Sequence, residues 1–167
     1  MRRITIVFTT LLLLSGVWGC SGPKTVTLVV EGAGDMNTTS GGAGNAAEVR
    51  VYQLSNRVNF DMTGPRRFWD DDVAALGNEL IGAPVQFSVF PNRPSDELEI
   101  VITKETRFIG IAANLREPDS NTWKKVYTID QIDDDIARFL VVKRSIILES
   151  ELDTDSGPPV SVPTILK

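Results

Sequence analysis

After its first two dozen positions the chain is dominated by a period-two alternation of β-forming and polar residues. Residues 25–31 (TVTLVVE) and 48–54 (EVRVYQL) follow it and lack the 3.6-residue period of a helix. In the second run Val49, Val51 and Gln53 fall on one face, and Arg50, Tyr52 and Leu54 on the other. Further strand candidates lie at 85–90, 98–103, 107–116 and 123–128, followed by the pair 138–142 and 145–149. Clusters of Pro, Gly, Asn and Asp separate them. Many short strands between turn signals predict an all-β fold built as a two-sheet sandwich.

One segment departs from this pattern. Between 65 and 80, Trp69, Val73, Leu76 and Leu80 recur at i, i+4, i+7 and i+11, which places them on one side of a short helix. Pro65 suits its start, Asp70, Asp71 and Asp72 suit its N-terminal half, and Gly77 suits its end. A second helical turn is expected at 130–136. The tail at 153–167 has three prolines and few apolar anchors, so it is expected to wrap the surface or stay mobile.

The first twenty residues have a different character. Arg2 and Arg3 precede an apolar run from Ile4 to Val17, which ends at Gly19 and at Cys20, the only cysteine. A charged start, an apolar middle and a small residue before the cut describe a secretory signal. The run falls short of the roughly 20 residues that cross a bilayer core. With Val17 and Gly19 placed before Cys20, the segment resembles a bacterial lipoprotein signal, and the resemblance implies acylation of the Cys20 thiol. Several acyl chains at about 0.8 kcal/mol per buried methylene anchor durably where a single chain does not. Ser21 follows the cysteine. The aspartate that usually retains such proteins in the inner membrane is absent there, which favours the outer membrane on its periplasmic face. The expected organisation is a signal peptide at 1–19, a lipidated N-terminus and spacer at 20–24, a β-sandwich domain at 25–152 and a Pro-containing tail at 153–167.

Composition narrows the chemistry. Removing residues 1–19 takes Arg2 and Arg3 away, so the formal net charge moves from −5 to −7. A charge of that sign makes nucleic acid and anionic headgroups poor partners. The chain has no histidine and no second cysteine. Ser-His and Cys-His nucleophile pairs, an imidazole base and an ordinary zinc site are therefore excluded. No catalytic group, metal ligand or cofactor is nominated, and the expectation is a protein that is not an enzyme.

The candidate site is the stretch between the first two strands: Asp35, Met36, Asn37, Thr38, Thr39, Ser40, Gly41, Gly42, Ala43, Gly44 and Asn45. It is an eleven-residue run rich in turn-formers, where a hairpin usually needs about 2 to 5 residues. Loops of this length in a compact domain are functional or disordered. Met36 is its one large apolar residue, and either anchors a partner or tucks onto the sandwich.

Taken in order, the cysteine motif at Cys20, the EVRVYQL strand, the aromatic and acidic helix at 68–76, the VFPNRPSDELEIVI stretch, the RFIGIAANLR strand and the WKKVY strand resemble the TssJ family, outer-membrane lipoproteins of the type VI secretion system. Val51, Tyr52, Gln53 and Leu54 match the family's "r-i-y-q-L" strand, and Pro91 its proline after the central strand. Phe108, Ile109, Gly110, Ala112 and Ala113 match its "y-i-G-v-v-A" strand, and Trp123 the tryptophan that follows. All read as core or turn residues; Gly110 within a strand marks a close backbone approach or a bulge. The resemblance implies a transthyretin-like sandwich with one added short helix and no enzymatic activity. It also implies a partner, the C-terminal periplasmic domain of the inner-membrane protein TssM, held by the loop at 35–45. Asn37 resembles an asparagine often seen at the start of that loop.

Other signals weigh less. Consecutive carboxylates at 70–72 and 133–135 point in different directions and read as solvated helix starts in preference to a metal cluster. Asp153, Asp155 and Gly157 echo a calcium loop that lacks its remaining ligands. The pairs Arg66–Arg67 and Lys124–Lys125 read as ordinary exposed charge. Asn37-Thr38-Thr39 fits a glycosylation pattern that a bacterial lipoprotein gives little reason to invoke. The alternative function is a periplasmic ligand-binding or inhibitor lipoprotein on the same sandwich, which predicts a pocket lined by groups from several strands.

Overall fold

A computed structural model describes residues 24–38, 42–118, 122–132 and 136–155, with residues 153–155 described by backbone alone. The expected signal peptide, Cys20, three loop residues (Thr39, Ser40 and Gly41), the acidic run at 133–135 and the tail beyond 155 lie outside the described residues.

The strands are β1 Lys24–Gly32, β2 Ala47–Leu54, β3 Leu80–Val89, β4 Arg93–Pro94, β5 Leu98–Ile102, β6 Phe108–Ala113, β7 Lys124–Thr128, β8 Ile136–Val142 and β9 Ser145–Leu148. They form two sheets. In the first, β1 lies centrally: β4 and β5 pair with successive stretches of one of its edges, β8 runs parallel to the other edge, and β9 follows β8. In the second the order is β3-β2-β6-β7, all antiparallel.

The two faces expected of β2 are both buried, against different layers. Gln53, on the Val49 and Val51 face, donates from Nε2 to the Val101 carbonyl of β5 (3.1 Å), so this face looks across to the first sheet. Tyr52, on the opposite face, lies edge-on to Phe60 and Phe68 of the helices. That helical cover is α1 Val58–Met62, α2 Pro65–Asp70 and α3 Asp72–Leu76, followed by a 3-10 turn at Gly77–Glu79.

The single helix expected at 65–80 is thus two. Asp71 breaks it, with φ −159° and ψ 87°, because its side chain accepts from Ala74 N–H (2.9 Å) and caps a new start. Pro65 does occupy the first turn of α2. After the break the expected apolar stripe no longer holds: Leu76 is buried, Val73 is 53% exposed, and Phe68 is the buried residue of α2. α1 was not anticipated. The turn expected at 130–136 is a 3-10 turn at Ile129–Ile132, and α4 Glu149–Asp155 begins where β9 and then the tail were expected to continue.

Gly110 explains how α1 approaches the sheet. A Cβ at this position would lie 2.7 Å from Phe60 Cε2 and 3.1 Å from Leu54 Cδ1, so only a glycine lets the Phe60 ring rest on β6. Phe60, Phe68, Trp69, Trp123 and Tyr52 form an edge-to-face cluster with centroid separations of 5.1 Å between Phe68 and Trp123 and 5.8 Å between Tyr52 and Phe60. Such pairs contribute about 0.5–1.5 kcal/mol each beyond the apolar area they bury.

Candidate functional site

The strand pairing divides the sandwich into two poles. Lys24 pairs with Ile102, and Thr27 with Ile136, so β1 begins at the pole where β5 ends and β8 starts. At the other pole β1 ends at Gly32, β2 starts at Ala47 opposite Val89, and β8 turns into β9 at Val142 and Ser145. The 33–46 loop, the 90–92 turn, the start of the β6–β7 connection and the β8–β9 turn therefore meet at the pole opposite Lys24.

Asn37 joins three of these four connections. Its backbone N–H donates to the Lys143 carbonyl (2.6 Å), its Nδ2 donates to the Ala46 carbonyl (2.7 Å), and its Oδ1 accepts from Arg116 N–H (2.8 Å). Its φ of 50° lies in the left-handed region, where asparagine is among the better tolerated non-glycine residues. Asn45 N–H donates to the Met36 carbonyl (3.0 Å), and Asn45 Nδ2 to the carbonyls of Ala43 (3.0 Å) and Asn37 (3.3 Å). The fourth connection packs closely on the loop: a Cβ on Gly34 would lie 2.7 Å from Asn92 Oδ1, and one on Gly44 would lie 3.2 Å from Pro91 Cγ.

Of the two readings of Met36, the structure gives the second. Its side chain is fully buried in the core, and Gly32 leaves room for it, since a Cβ there would lie 2.3 Å from Met36 Sδ. Asn37 is also buried, at 4% exposure. Asp35, Gly42 and Ala43 are exposed, while Thr38, Gly44 and Asn45 are half-buried. Sequence reasoning missed Phe90, which is 53% exposed at this pole. An aromatic residue just before Pro91, outside strand alternation, was the available signal.

Two polar constellations support the helical layer. Asp72 Oδ2 accepts from Tyr52 OH (2.7 Å) and from Arg50 Nη1 (2.8 Å), while Arg50 Nε donates to Glu48 Oε1 (2.6 Å) and its guanidinium lies 4.9 Å from the Trp69 ring centroid. Burial works against a charged Asp72, but the hydrogen bonds from Tyr52 and Arg50 outweigh it and hold the carboxyl below its ordinary range. Burial first, then the Asp72 hydrogen bond, pushes the Tyr52 hydroxyl well above its ordinary range. The acidic run at 70–72 is therefore not simply solvated: Asp71 caps a helix and Asp72 is buried.

Lys124 corrects a second expectation. It is 6% exposed, and Nζ donates to the carbonyls of Phe60, Asp61 (3.1 Å) and Thr63 (2.7 Å) at the end of α1, over the Trp123 ring at 4.9 Å. Burial pushes its ammonium down to about 8, partly offset by the charge of Asp61. Among the described residues every buried side-chain nitrogen and oxygen has a partner, and no group of three or more acidic residues is placed to hold a metal ion.

The sandwich interior is filled by one apolar cluster contributed by both sheets and the helices. A depression of about 540 Å³ is an open groove on α2 and α3 lined by Pro65, Arg66, Ala74 and Ala75 among others. A second, of about 410 Å³, lies between α1, β7 and α4. Neither draws on several strands, as the ligand-module alternative requires.

These features define a two-sheet β-sandwich with an added helical layer and a long β1–β2 loop fixed against neighbouring connections at one pole. The family model of type VI secretion lipoproteins, described as VasD, EvfM and TssJ, matches residues 24–149, and the chain belongs to this family. It is a membrane-anchored, structural lipoprotein component of the type VI secretion system. None of the curated proteins matches the chain.

Solved structures agree. The T6SS lipoprotein TssJ1 from Pseudomonas aeruginosa superposes with a TM-score of 0.67 at 20% identity, covering 76% of this chain and 95% of that one. A chain of a type VI membrane complex gives a TM-score of 0.69 at 25% identity, covering 76% and 98%. A chain of a structure described as the T6SS protein TssM C-terminal domain (869–1107) from EAEC gives 0.62 at 25% identity, covering 74% and 96%.

Proposed function

We propose that the protein is held in the outer membrane, on its periplasmic face, by acyl chains on Cys20, and that its loop pole captures the C-terminal periplasmic domain of a TssM-like inner-membrane protein. The observation that carries this reading is the course of β1. It begins at Lys24, four positions after Cys20, and ends at Gly32, where the loop starts. Nine residues at about 3.3 Å each place Lys24 and the start of the loop roughly 25–30 Å apart, so the chain from Cys20 joins the sandwich at the pole opposite the loop. Similar chains in a type VI membrane complex and in a structure of the TssM C-terminal domain support TssM as the partner. Membrane tethering raises the effective concentration of the two proteins, so a modest pairwise affinity suffices.

The contact surface is taken as Asp35 with residues 38–43 of the predicted loop, carried on Asn37 and Met36 as supports. The test is a titration of the purified lipoprotein, in detergent micelles, against the periplasmic domain of the TssM-like protein from the same genome. Replacing residues 38–43 with a short Gly-Ser linker spares Met36 and Asn37. Loss of binding with an unchanged melting temperature is expected; full binding by the shortened loop would move the interface elsewhere.

A further inference from the structure

The loop offers its partner little to grip. Its exposed described residues are Asp35 and small ones, and its one large apolar side chain, Met36, is inside the core. The large apolar side chains exposed elsewhere among the described residues lie on the helices or near the start of β1. Val58 and Met62 are on α1, Val73 is on α3 and Leu152 is on α4, while Val101 and Ile136 pair with Thr25 and Thr27 near the start of β1. Phe90 is the exception, 53% exposed beside the loop.

Its backbone is fixed rather than loose. Arg93 N–H donates to the Phe90 carbonyl (3.3 Å), which closes a turn with Pro91 in its second position and Asn92, at φ 58°, in its third. Proline and asparagine suit those two positions. Asn92 N–H donates to the Gly32 carbonyl (2.6 Å), Pro91 bridges Gly32, and a Cβ on Gly32 would lie 2.4 Å from the Phe90 carbonyl oxygen. The ring is thus presented from a turn stapled to the end of β1, so little ordering entropy is lost when a partner covers it. Around the same pole Arg93, Arg116 and Lys143 are exposed, interspersed with the exposed carboxylates of Glu31, Asp35 and Glu117.

We propose that Phe90 is the apolar anchor of the partner-binding pole, seated in an apolar cleft on the TssM-like periplasmic domain whose rim is acidic and faces Arg93, Arg116 and Lys143. The inference rests on the tethering function proposed above and adds the residue that supplies most of the grip. A rigid aromatic surrounded by contacts of small net energy is the usual make-up of an interface hot spot, and pairing of the three exposed cations with acidic groups of the partner fixes the register and speeds encounter.

The experiment is a binding titration of the full-length acylated protein in detergent micelles against that periplasmic domain. It compares the unaltered protein with Phe90→Ala, Phe90→Lys, Phe90→Leu, Arg93→Glu/Lys143→Glu and, at the opposite pole, Val101→Ala. The expected result is affinity at least about 30-fold lower for Phe90→Ala and Phe90→Lys, largely kept by Phe90→Leu and unchanged in Val101→Ala. All variants should melt as the unaltered protein does, because the ring is exposed. The charge-reversed variant should associate more slowly, with the difference shrinking at high salt. If the unaltered protein binds and Phe90→Ala and Phe90→Lys bind equally well, the anchor assignment is overturned while tethering stands. If the unaltered, folded protein does not bind, both fall together.

Discussion

Asn37 Oδ1 accepts a hydrogen bond from the backbone N–H of Arg116 at 2.8 Å, joining positions 79 residues apart in sequence. This bond and its companion to the Ala46 carbonyl hold the β1–β2 loop over the end of the second sheet. Asn37→Ala removes both bonds, so the Arg116 N–H and the Ala46 carbonyl lose these partners. A loss of about 1–3 kcal/mol in unfolding free energy is expected, measured by chemical denaturation. Amide exchange should accelerate at Asn45 and Arg116, and partner binding should weaken. Unaltered exchange at these two amides would show that the loop is held by other means.

Gly110→Ala is expected to destabilise by about 1–3 kcal/mol, the usual cost of overpacking, because the new methyl meets the Phe60 ring and Leu54. Adding Phe60→Leu should recover part of the loss. Denaturation midpoints of the single and double variants decide this. Additive losses would mean that the clash lies elsewhere.

The buried Lys124 ammonium gives a pH signature. Its proton is held more weakly in the folded protein, at about 8, than at the ordinary 10.5, so between these values the unfolded chain binds more protons. Stability should therefore rise with pH across this window relative to Lys124→Met, which has no titrating group. The same substitution leaves the carbonyls of Phe60, Asp61 and Thr63 without their donor, so it should be destabilised at every pH. Parallel melting curves with no pH-dependent difference between the two proteins would contradict the assignment.

For Asp72 the sign is opposite. Its folded carboxyl titrates below the ordinary 3.8, so its contribution is fully present above that pH and is lost as pH falls through it. Asp72→Asn should flatten the acid limb of the stability profile. Tyr52, raised above 10, contributes an alkaline limb in which stability is lost above pH 10, and Tyr52→Phe should remove it. Stability measured between pH 2 and 11 reads both limbs.

The strands were legible because their signal is local. The period-two pattern of residues 25–31 and 48–54 lies within β1 and β2, and Gly110 announced a close approach by occurring inside a strand. β3 was only half visible: Gly82 (φ 69°) and Pro84 sit where the β2 register jumps from Val51 to Gln53, and such residues read as turns. α1 and α3 have five residues each, too few for a helical period to show. At the site, sequence located the loop and singled out Asn37. The burial of Met36 and Lys124 depends on what folds over them, the 32–36 chain reversal in one case and α1 in the other. No pattern along the chain encodes those contacts.

The central place of β1 also governs how the molecule carries load. A pull between an acylated Cys20 and a captured partner runs along this strand from Lys24 to Gly32. The hydrogen bonds that join β1 to β5 and β8 lie across the direction of that pull. Force applied this way shears both ladders at once and cannot peel them apart bond by bond. If the protein is tethered as proposed above, the fold acts as a mechanical link whose resistance comes from many bonds yielding together.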